Sequence, residues 1–292
     1  MKERSLGQNY REPFYYILPT LIYFLIFIFF PIAFSLSLTL FEFTGYSKDI
    51  FKNFVGLENF IFVLTDSYFL IALKNTFYFV IGSVVVQLFV ALFIAVVIFY
   101  GEFKHSTLIR TVIFFPAVLA PVTVSLVWKK LFEQDGLINQ ILNIEFSWLS
   151  NIRIAIFVLI FVSVWQWFGY NLVIFYAGLQ SIDQEIIEAA EVDGASWVGK
   201  ITKIAIPLLT PYIVISVILN LIGSFRIFDI VYIMTRGGPI HYTEVLTTLL
   251  FFYAFNPMGL SNMGYASVIA MVMLIVMVIF GVIRIRLVTK RS

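Results

Sequence analysis

The sequence predicts an all-α integral membrane protein with six transmembrane helices. Of its 292 residues 61% are hydrophobic and only 12% charged, with 33 phenylalanines, whereas a soluble globular domain carries about 25% charged residues. Six apolar runs approach or exceed the length a helix needs to cross the hydrocarbon core, about 20 residues. The stretches between them are polar, as loops at a membrane surface would be.

Residues 1–13 form a polar N-terminal segment with Lys2, Arg4 and Arg11, and residues 14–288 hold the membrane domain. The first span, 14–40, is long enough to tilt or extend past the bilayer, and Pro19 and Pro31 bend it. It is too long for a signal-peptide core and lacks a small-residue cleavage site after it, so the expectation is a retained anchor. Residues 41–71, with Glu42, Lys48, Asp49, Lys52, Glu58 and Asp66, are too polar to span. The second span, 72–100, is nearly unbroken apart from Gln87, and a short hydrophilic turn follows over 101–110. The third, 111–128, contains Pro116 and Pro121, so carbonyls freed inside the membrane need other partners. Residues 129–151 are polar, with Trp148 as an interface anchor. The fourth span, 152–179, carries Trp165-Gln166-Trp167-Phe168-Gly169-Tyr170-Asn171 at its centre. An amide and two indoles there point to the bundle interior or a wet cavity rather than to lipid. A charged stretch leads to the fifth span, 206–234; an outer loop, 235–262, with Gly237-Gly238-Pro239 leads to the sixth, 263–288; residues 289–292 are a tail with Lys290 and Arg291.

Six spans put both termini on one side, and Lys and Arg choose the side. The side of the termini has eleven: Lys2, Arg4, Arg11, Lys104, Arg110, Lys200, Lys203, Arg284, Arg286, Lys290 and Arg291. The other has seven: Lys48, Lys52, Lys74, Lys129, Lys130, Arg153 and Arg236. The termini are therefore expected in the cytoplasm.

The absence of cysteine excludes disulfides and thiolate metal sites. A net charge of +2 gives no footprint for nucleic acid. His105 and His241 both fall in loops, far apart, and no nucleophile or metalloprotease pattern occurs. The sequence thus predicts no enzyme, metal or cofactor site on this chain.

Residues 188–207 are the longest charged, helix-permissive segment between two strongly apolar ones. Asp183, Glu185, Glu188 and Glu191 surround Ile182, Ile186, Ala189 and Ala190, which recur at helical spacing. Asp193-Gly194 breaks the helix, Ser196 can cap a second short one, and Pro207 suits the first turn of the fifth span. The expectation is two short helices with a glycine bend; local chemistry alone leaves a plain connecting loop equally open. Gly194 to Lys200 nearly spells a phosphate-binding loop, but Ile201 stands where Ser or Thr should hold magnesium, and an acidic helix precedes it instead of a strand.

In the fifth span Asn220, Gly223, Ser224 and Ile227 share one small, polar helical face. Spacing leaves helix packing and substrate contact equally open. Arg226 and Asp229, three apart, can pair on one helix near its outer end. No lone acid occupies mid-membrane, as a proton-coupled carrier would need.

A family resemblance rests on specific residues. Glu188-Ala189-Ala190, Asp193-Gly194-Ala195, Ile204 and Ile206-Pro207 have the spacing of the coupling loop of binding-protein-dependent ABC importers. Phe54-Val55-Gly56-Leu57-Glu58-Asn59-Phe60, Asp66, Phe69, Ala72-Leu73 and Asn75-Thr76 resemble the first outer loop and second span of its sugar-type permeases. Phe228 to Tyr232, Thr235-Arg236-Gly237-Gly238-Pro239, Thr243-Glu244 and Met263-Gly264-Tyr265-Ala266-Ser267 resemble the first permease of the carbohydrate-uptake branch, similar to the maltose, lactose and glycerol-3-phosphate systems. The match runs from about Phe54 to the C-terminus. Asp183 stands where proline is usual, and Arg236 where glycine is common.

The resemblance implies a type I ABC importer permease fold in a bacterial or archaeal cytoplasmic membrane, with a cytoplasmic coupling loop over 181–205. It implies a second homologous permease, two copies of an ABC ATPase that hold the ATP and magnesium, an extracellular solute-binding protein and a sugar-type substrate. Glu188, Ala189, Ala190, Asp193, Gly194, Ala195 and Pro207 would couple to the ATPase. Trp165, Phe168 and Gly169, by position, would line the path with Asn220, Gly223, Ser224 and Ile227. The rival reading, a secondary transporter or channel, would show an inverted repeat or a central coupling acid, and neither is visible.

Overall fold

The computed structural model describes residues 12–45, 49–101, 103–255 and 261–289. The basic residues Lys2, Arg4, Arg11, Lys48, Lys290 and Arg291, which entered the orientation argument, lie outside them.

Helices follow one another along the chain. α1 (Glu12–Phe24) continues through a π turn (Leu25–Phe29) into α2 (Phe30–Leu38). Next come α3 (Glu58–Thr65), α4 (Ser67–Tyr100), α5 (Ser106–Val118), α6 (Pro121–Leu131), α7 (Leu137–Leu142) and α8 (Ala155–Gln180). The charged stretch holds α9 (Gln184–Val192) and α10 (Trp197–Lys200), followed by a second π turn (Ile201–Ala205) and α11 (Ile206–Leu208). α12 (Thr210–Phe225), α13 (Asp229–Met234), α14 (Leu246–Phe255) and α15 (Met263–Thr289) complete the order. Among the described residues five stretches are long and apolar enough to cross a bilayer, or six if α5 and α6 count as one bent span.

The two π turns share a cause. Phe30 N–H bonds Leu25 O, and Ile206 N–H bonds Ile201 O, each from the residue just before a proline, Pro31 or Pro207. The proline ring crowds the carbonyl four residues back and offers no N–H, and a wider turn relieves both. Pro121 acts more sharply. The third segment, expected as one span over 111–128, divides into α5 and α6, bent by 95°. Leu119 and Ala120 are extended, with ψ of 144° and 131°, as suits residues leading into proline, and Pro121 then opens α6. The outer loop expected over 235–262 contains α14, an apolar helix of ten residues, too short to have stood out as a span.

The chain divides into two compact units. One comprises residues 1–64 and 250–272. There Asn59, 3% exposed, donates to the Thr39 and Phe41 carbonyls at 2.9 and 3.0 Å, Phe41 bridges to Phe54, and Phe62 stacks on Tyr265 at 4.2 Å. Asn59 thus staples the Thr39 and Phe41 backbone, and Gly264 leaves room for it, since a Cβ there would meet the Phe41 carbonyl and Asn59 Nδ2.

The other unit comprises residues 65–249 and 273–292. Asp66 caps α4 by accepting from Tyr68 N at 3.0 Å. α8 packs along α4 and α5, and α12 along α4 and α8. Two apolar clusters result. One joins Phe79, Val124, Leu159, Ile230 and Val245; the other joins Ala91, Leu172, Phe175, Ile201 and Leu209. Both leave polar side chains of α4, α8 and α12 facing one another between them.

Candidate functional site

Those polar side chains border a cavity of about 260 Å³. α8 lines it with Ser163, Trp167 and Tyr170, at i, i+4 and i+7 on one face. α12 contributes Leu219, Asn220, Gly223 and Ser224, α4 contributes Gln87, and Pro121 stands at the start of α6. The remaining wall is the break between α12 and α13, residues 226–228, with Asp229 and Ile230. The break forms because α12 tightens at its end, Arg226 N–H bonding both Ile222 O and Gly223 O at 3.3 and 3.2 Å. Asp229 then opens α13, where a carboxylate suits the helix N-terminus.

Hydrogen bonds hold the cavity walls together. Asn171 and Asn220 exchange amide bonds at 3.2 and 2.6 Å. Ser83 Oγ bonds Ser224 Oγ at 2.9 Å, and Gln87 Nε2 donates to the Ser163 carbonyl at 3.5 Å. Gln166, fully buried on α8, donates to the Leu119 carbonyl at 3.2 Å, giving a partner to a carbonyl freed at the α5–α6 break.

The structure sorts the sequence-predicted path residues. Asn220, Gly223, Ser224 and Ile227 all line the cavity. Trp165, Phe168 and Gly169 do not. Trp165 packs edge-on against Trp128 at 5.3 Å, and Gly169 is buried against the backbone of Ile113 and Phe114. Two residues along a helix turn the side chain by about 200°, so the lining indole is Trp167. Sequence reasoning missed Trp167, Tyr170 and Ser163; their shared helical face was the available signal, as was Gln87 alone in an apolar run. Arg226 and Asp229 do not share a helix, because the chain breaks between them, and no ion pair joins them among the described residues.

The charged stretch after α8 forms the two short helices its sequence suggests. α9 ends where Gly194 takes φ +77°, and Ala195 N–H reaches back to Ala190 O at 2.9 Å, the six-residue closure typical of a glycine-ended helix. Ser196 Oγ accepts from Gly199 N at 3.2 Å and caps α10. The near phosphate-binding loop is therefore a helix end followed by a capped turn. Glu188, Ala189, Asp193, Gly194 and Pro207 are exposed, Ala190 and Ala195 half-buried. Val192, Trp197 and Val198 also stand exposed.

The motif residues 235–244 close on themselves. Arg236 and Gly237 have φ of 52° and 80°. Thr243 Oγ1 donates to the Gly238 carbonyl at 2.6 Å. Asn75 Nδ2 donates to the Tyr242 and Glu244 carbonyls, both at 3.0 Å, and Thr76 Oγ1 accepts from Leu246 N at 3.0 Å. His241 Nδ1 lies 2.9 Å from Glu244 Oε2. Burial raises the Glu244 carboxyl above its ordinary value, and its bonds to Thr248 and His241 work the other way.

Residues 68–291 match the model of the binding-protein-dependent transport system inner membrane component. The chain belongs to that family. Such a protein is a multi-pass permease, not an enzyme, and works with a solute-binding protein and an ATPase. The permease is 36% identical over 284 residues to a probable ABC transporter permease protein of Bacillus subtilis strain 168, covering 94% of this chain and 89% of that one. A lactose transport system permease protein of Rhizobium radiobacter is 31% identical over 274 residues, 91% of this chain and 90% of its own. An sn-glycerol-3-phosphate transport system permease protein of Escherichia coli O6:K15:H31 is 33% identical over 274 residues, 91% of each. The crystal structure of a bacterial alginate ABC transporter, in complex with an alginate pentasaccharide-bound periplasmic protein, contains a chain of the same fold. It superposes with a TM-score of 0.78 at 20% identity, covering 94% of the permease and 92% of that chain. The fold is that of a type I importer permease.

Proposed function

We propose that this permease forms half of the translocation pathway of an ATP-driven importer for a sugar, oligosaccharide or related polyol or glycerol phosphate. The other half would be a second, homologous permease, and two copies of an ABC ATPase would bind the ATP and magnesium. The observation that carries the substrate class is the cavity lining. Trp167 and Tyr170 offer aromatic faces for the apolar face of a sugar ring, and Asn220, Ser224 and Gln87 offer hydrogen bonds for its hydroxyls. The named relatives for lactose and sn-glycerol-3-phosphate support the same class.

Coupling falls to the segment after α8. Glu188 and Ala189 are exposed together with Val192, a polar and apolar surface suited to a protein partner, and Gly194 sets the angle at which α10 leaves α9. With this segment in the cytoplasm, the side that the distribution of Lys and Arg favours for both termini, closure of the ATPases would push on it and reach α12 through the continuous helical path from residue 197 to 208.

The test is to tag the chain in its native host, purify it in mild detergent and identify its companions, then assay ATP-dependent uptake in liposomes. A second six-span permease with an ATPase, and saccharide uptake that stops without ATP, are the expected result. A lone chain that conducts solute without ATP would overturn the proposal.

A further inference from the structure

The protons of the two paired asparagines decide what the cavity can recognise, given the carbohydrate reading above. Asn220 Nδ2 carries two protons. One goes to the Ser216 carbonyl at 2.7 Å and the other to Asn171 Oδ1 at 2.6 Å. A carbonyl only accepts, so the Ser216 contact fixes which end of the Asn220 amide is nitrogen. The Trp167 carbonyl, 3.4 Å from Asn171 Nδ2, fixes Asn171 in the same way, and Asn171 Nδ2 bonds Asn220 Oδ1 at 3.2 Å. Both donors of Asn220 are thus spent inside the protein, and its carbonyl oxygen keeps one open lone pair. Asn220 lines the cavity; Asn171, 1% exposed, stands behind it.

Gln87 supplies the second observation. It lines the same cavity, is 1% exposed, and its Oε1 has no partner among the described residues. A buried carbonyl oxygen left unpaired is costly, and a donor arriving in the cavity relieves it. Asp229 adds a carboxylate to the lining and Arg226 a guanidinium, so the two charges offset within the same cavity.

We propose that the cavity recognises hydroxyl donors of a neutral polyhydroxylated solute through the Asn220 and Gln87 carbonyls, with Asn171 as the positioning residue that keeps Asn220 an acceptor. A uronate or phosphate group brings only acceptors, finds no donor at either carbonyl, and meets an Arg226 guanidinium whose charge the Asp229 carboxylate of the same lining offsets. Removing Asn171 frees one Nδ2 proton of Asn220 while the other stays on the Ser216 carbonyl, so groups that only accept should gain.

The test uses the complete importer in ATP-loaded liposomes with its own binding protein. It is offered a digest of neutral and pectic plant polysaccharides, in native and partly O-methylated form, and the trapped solutes are weighed by mass spectrometry. Neutral native oligosaccharides should dominate the lumen, and Asn220→Leu should lower their uptake about tenfold below saturation, the loss of one hydrogen bond to a buried group. Asn171→Ala should raise the ratio of O-methylated to native uptake severalfold. The same binding protein feeds both forms, so a changed ratio belongs to the cavity; a merely structural loss would lower both alike. Uronic oligosaccharides accumulating at parity, or an unchanged ratio in Asn171→Ala, would overturn the inference and leave the importer reading standing. No ATP-dependent uptake of any saccharide would remove the carbohydrate reading itself, and this inference with it.

Discussion

Gly169 stands so close to Ile113 that a Cβ built on it would fall 2.2 Å from the Ile113 carbonyl oxygen. The atom in the way is backbone, so it cannot swing aside. One turn back on the same face of α8, Gln166 holds the Leu119 carbonyl. Together the two residues dock α5 and its broken end on α8. Gly169→Ala should force the helices apart and destabilise the permease by about 1–3 kcal/mol, as overpacking does. Thermal unfolding of the purified protein reads this directly, and an unchanged melting temperature would show that Gly169 is not a packing residue.

Gly194 is the opposite kind of glycine. Nothing among the described residues lies within 4 Å of a Cβ placed there, and the constraint is its φ of +77°. The series Gly194→Asn, Gly194→Ala, Gly194→Val should therefore grade with tolerance of the left-handed region: Asn mildest, Ala at about 1–2 kcal/mol of local strain, Val worst. ATP-dependent uptake should fall in that order while the amount of chain in the membrane stays level. Normal uptake by Gly194→Val would mean that the bend between α9 and α10 plays no part in coupling.

The legible parts of the molecule were those written in local signals. The bend at Gly194 and the cap at Ser196 each depend on one residue and its neighbours, and the apolar runs depend on length. The division of the third span was also written locally, in the extended preference of Ala120 before Pro121, but two prolines within one apolar run also fit a kinked helix. The face of α8 that borders the cavity was not legible. Trp165 and Trp167 are chemically alike, and only the placement of α4, α12 and Trp128 decides which indole is packed and which is open. The break after Phe225 was hidden for a similar reason: 226–228 reads as apolar helix interrupted by one arginine, and its irregular backbone leans on tertiary bonds such as that from Thr247 Oγ1 to the Ile227 carbonyl.

That difference between the indoles predicts a difference in kinetics. Trp167→Ala removes an aromatic face from the cavity and should raise the solute concentration for half-maximal uptake, with little change in melting temperature. Trp165→Ala removes a ring packed on Trp128 and should lower the melting temperature, with half-saturation unchanged in the protein that survives. A fully buried indole is worth about 3–5 kcal/mol, and this half-buried one less. If the two variants swap these effects, the cavity is not the path.

Arg236 occupies a backbone position with φ of 52°, where a side chain other than glycine costs about 1–2 kcal/mol. Glycine is freer in the unfolded chain and gives back about 0.5–1 kcal/mol of that difference. Arg236→Gly should therefore be neutral to stabilising by up to about 1.5 kcal/mol, unusual for the removal of an arginine. Denaturation of the two forms side by side checks it, and a clear loss of stability would reveal that the guanidinium holds a contact worth more than the strain.

Glu244 should give residues 235–245 a dependence on pH. It is 4% exposed, its Oε2 lies against His241 Nδ1, and Gly237 passes so near that a Cβ there would meet the same oxygen at 2.2 Å. Burial raises its folded value above the ordinary 4.5. A group raised in this way favours the folded state while protonated, and the advantage fades as pH climbs through the raised value. Protection of backbone amides in 235–245 should thus be greatest below pH 4.5 and decline as pH rises through the raised value. Glu244→Gln keeps the shape and cannot ionise, so its hydrogen-exchange profile should be flat over that window. If the decline persists in Glu244→Gln, the titrating group lies elsewhere. If both profiles are flat, ionising Glu244 does not loosen the closure of residues 235–244 around Gly237 and Thr243.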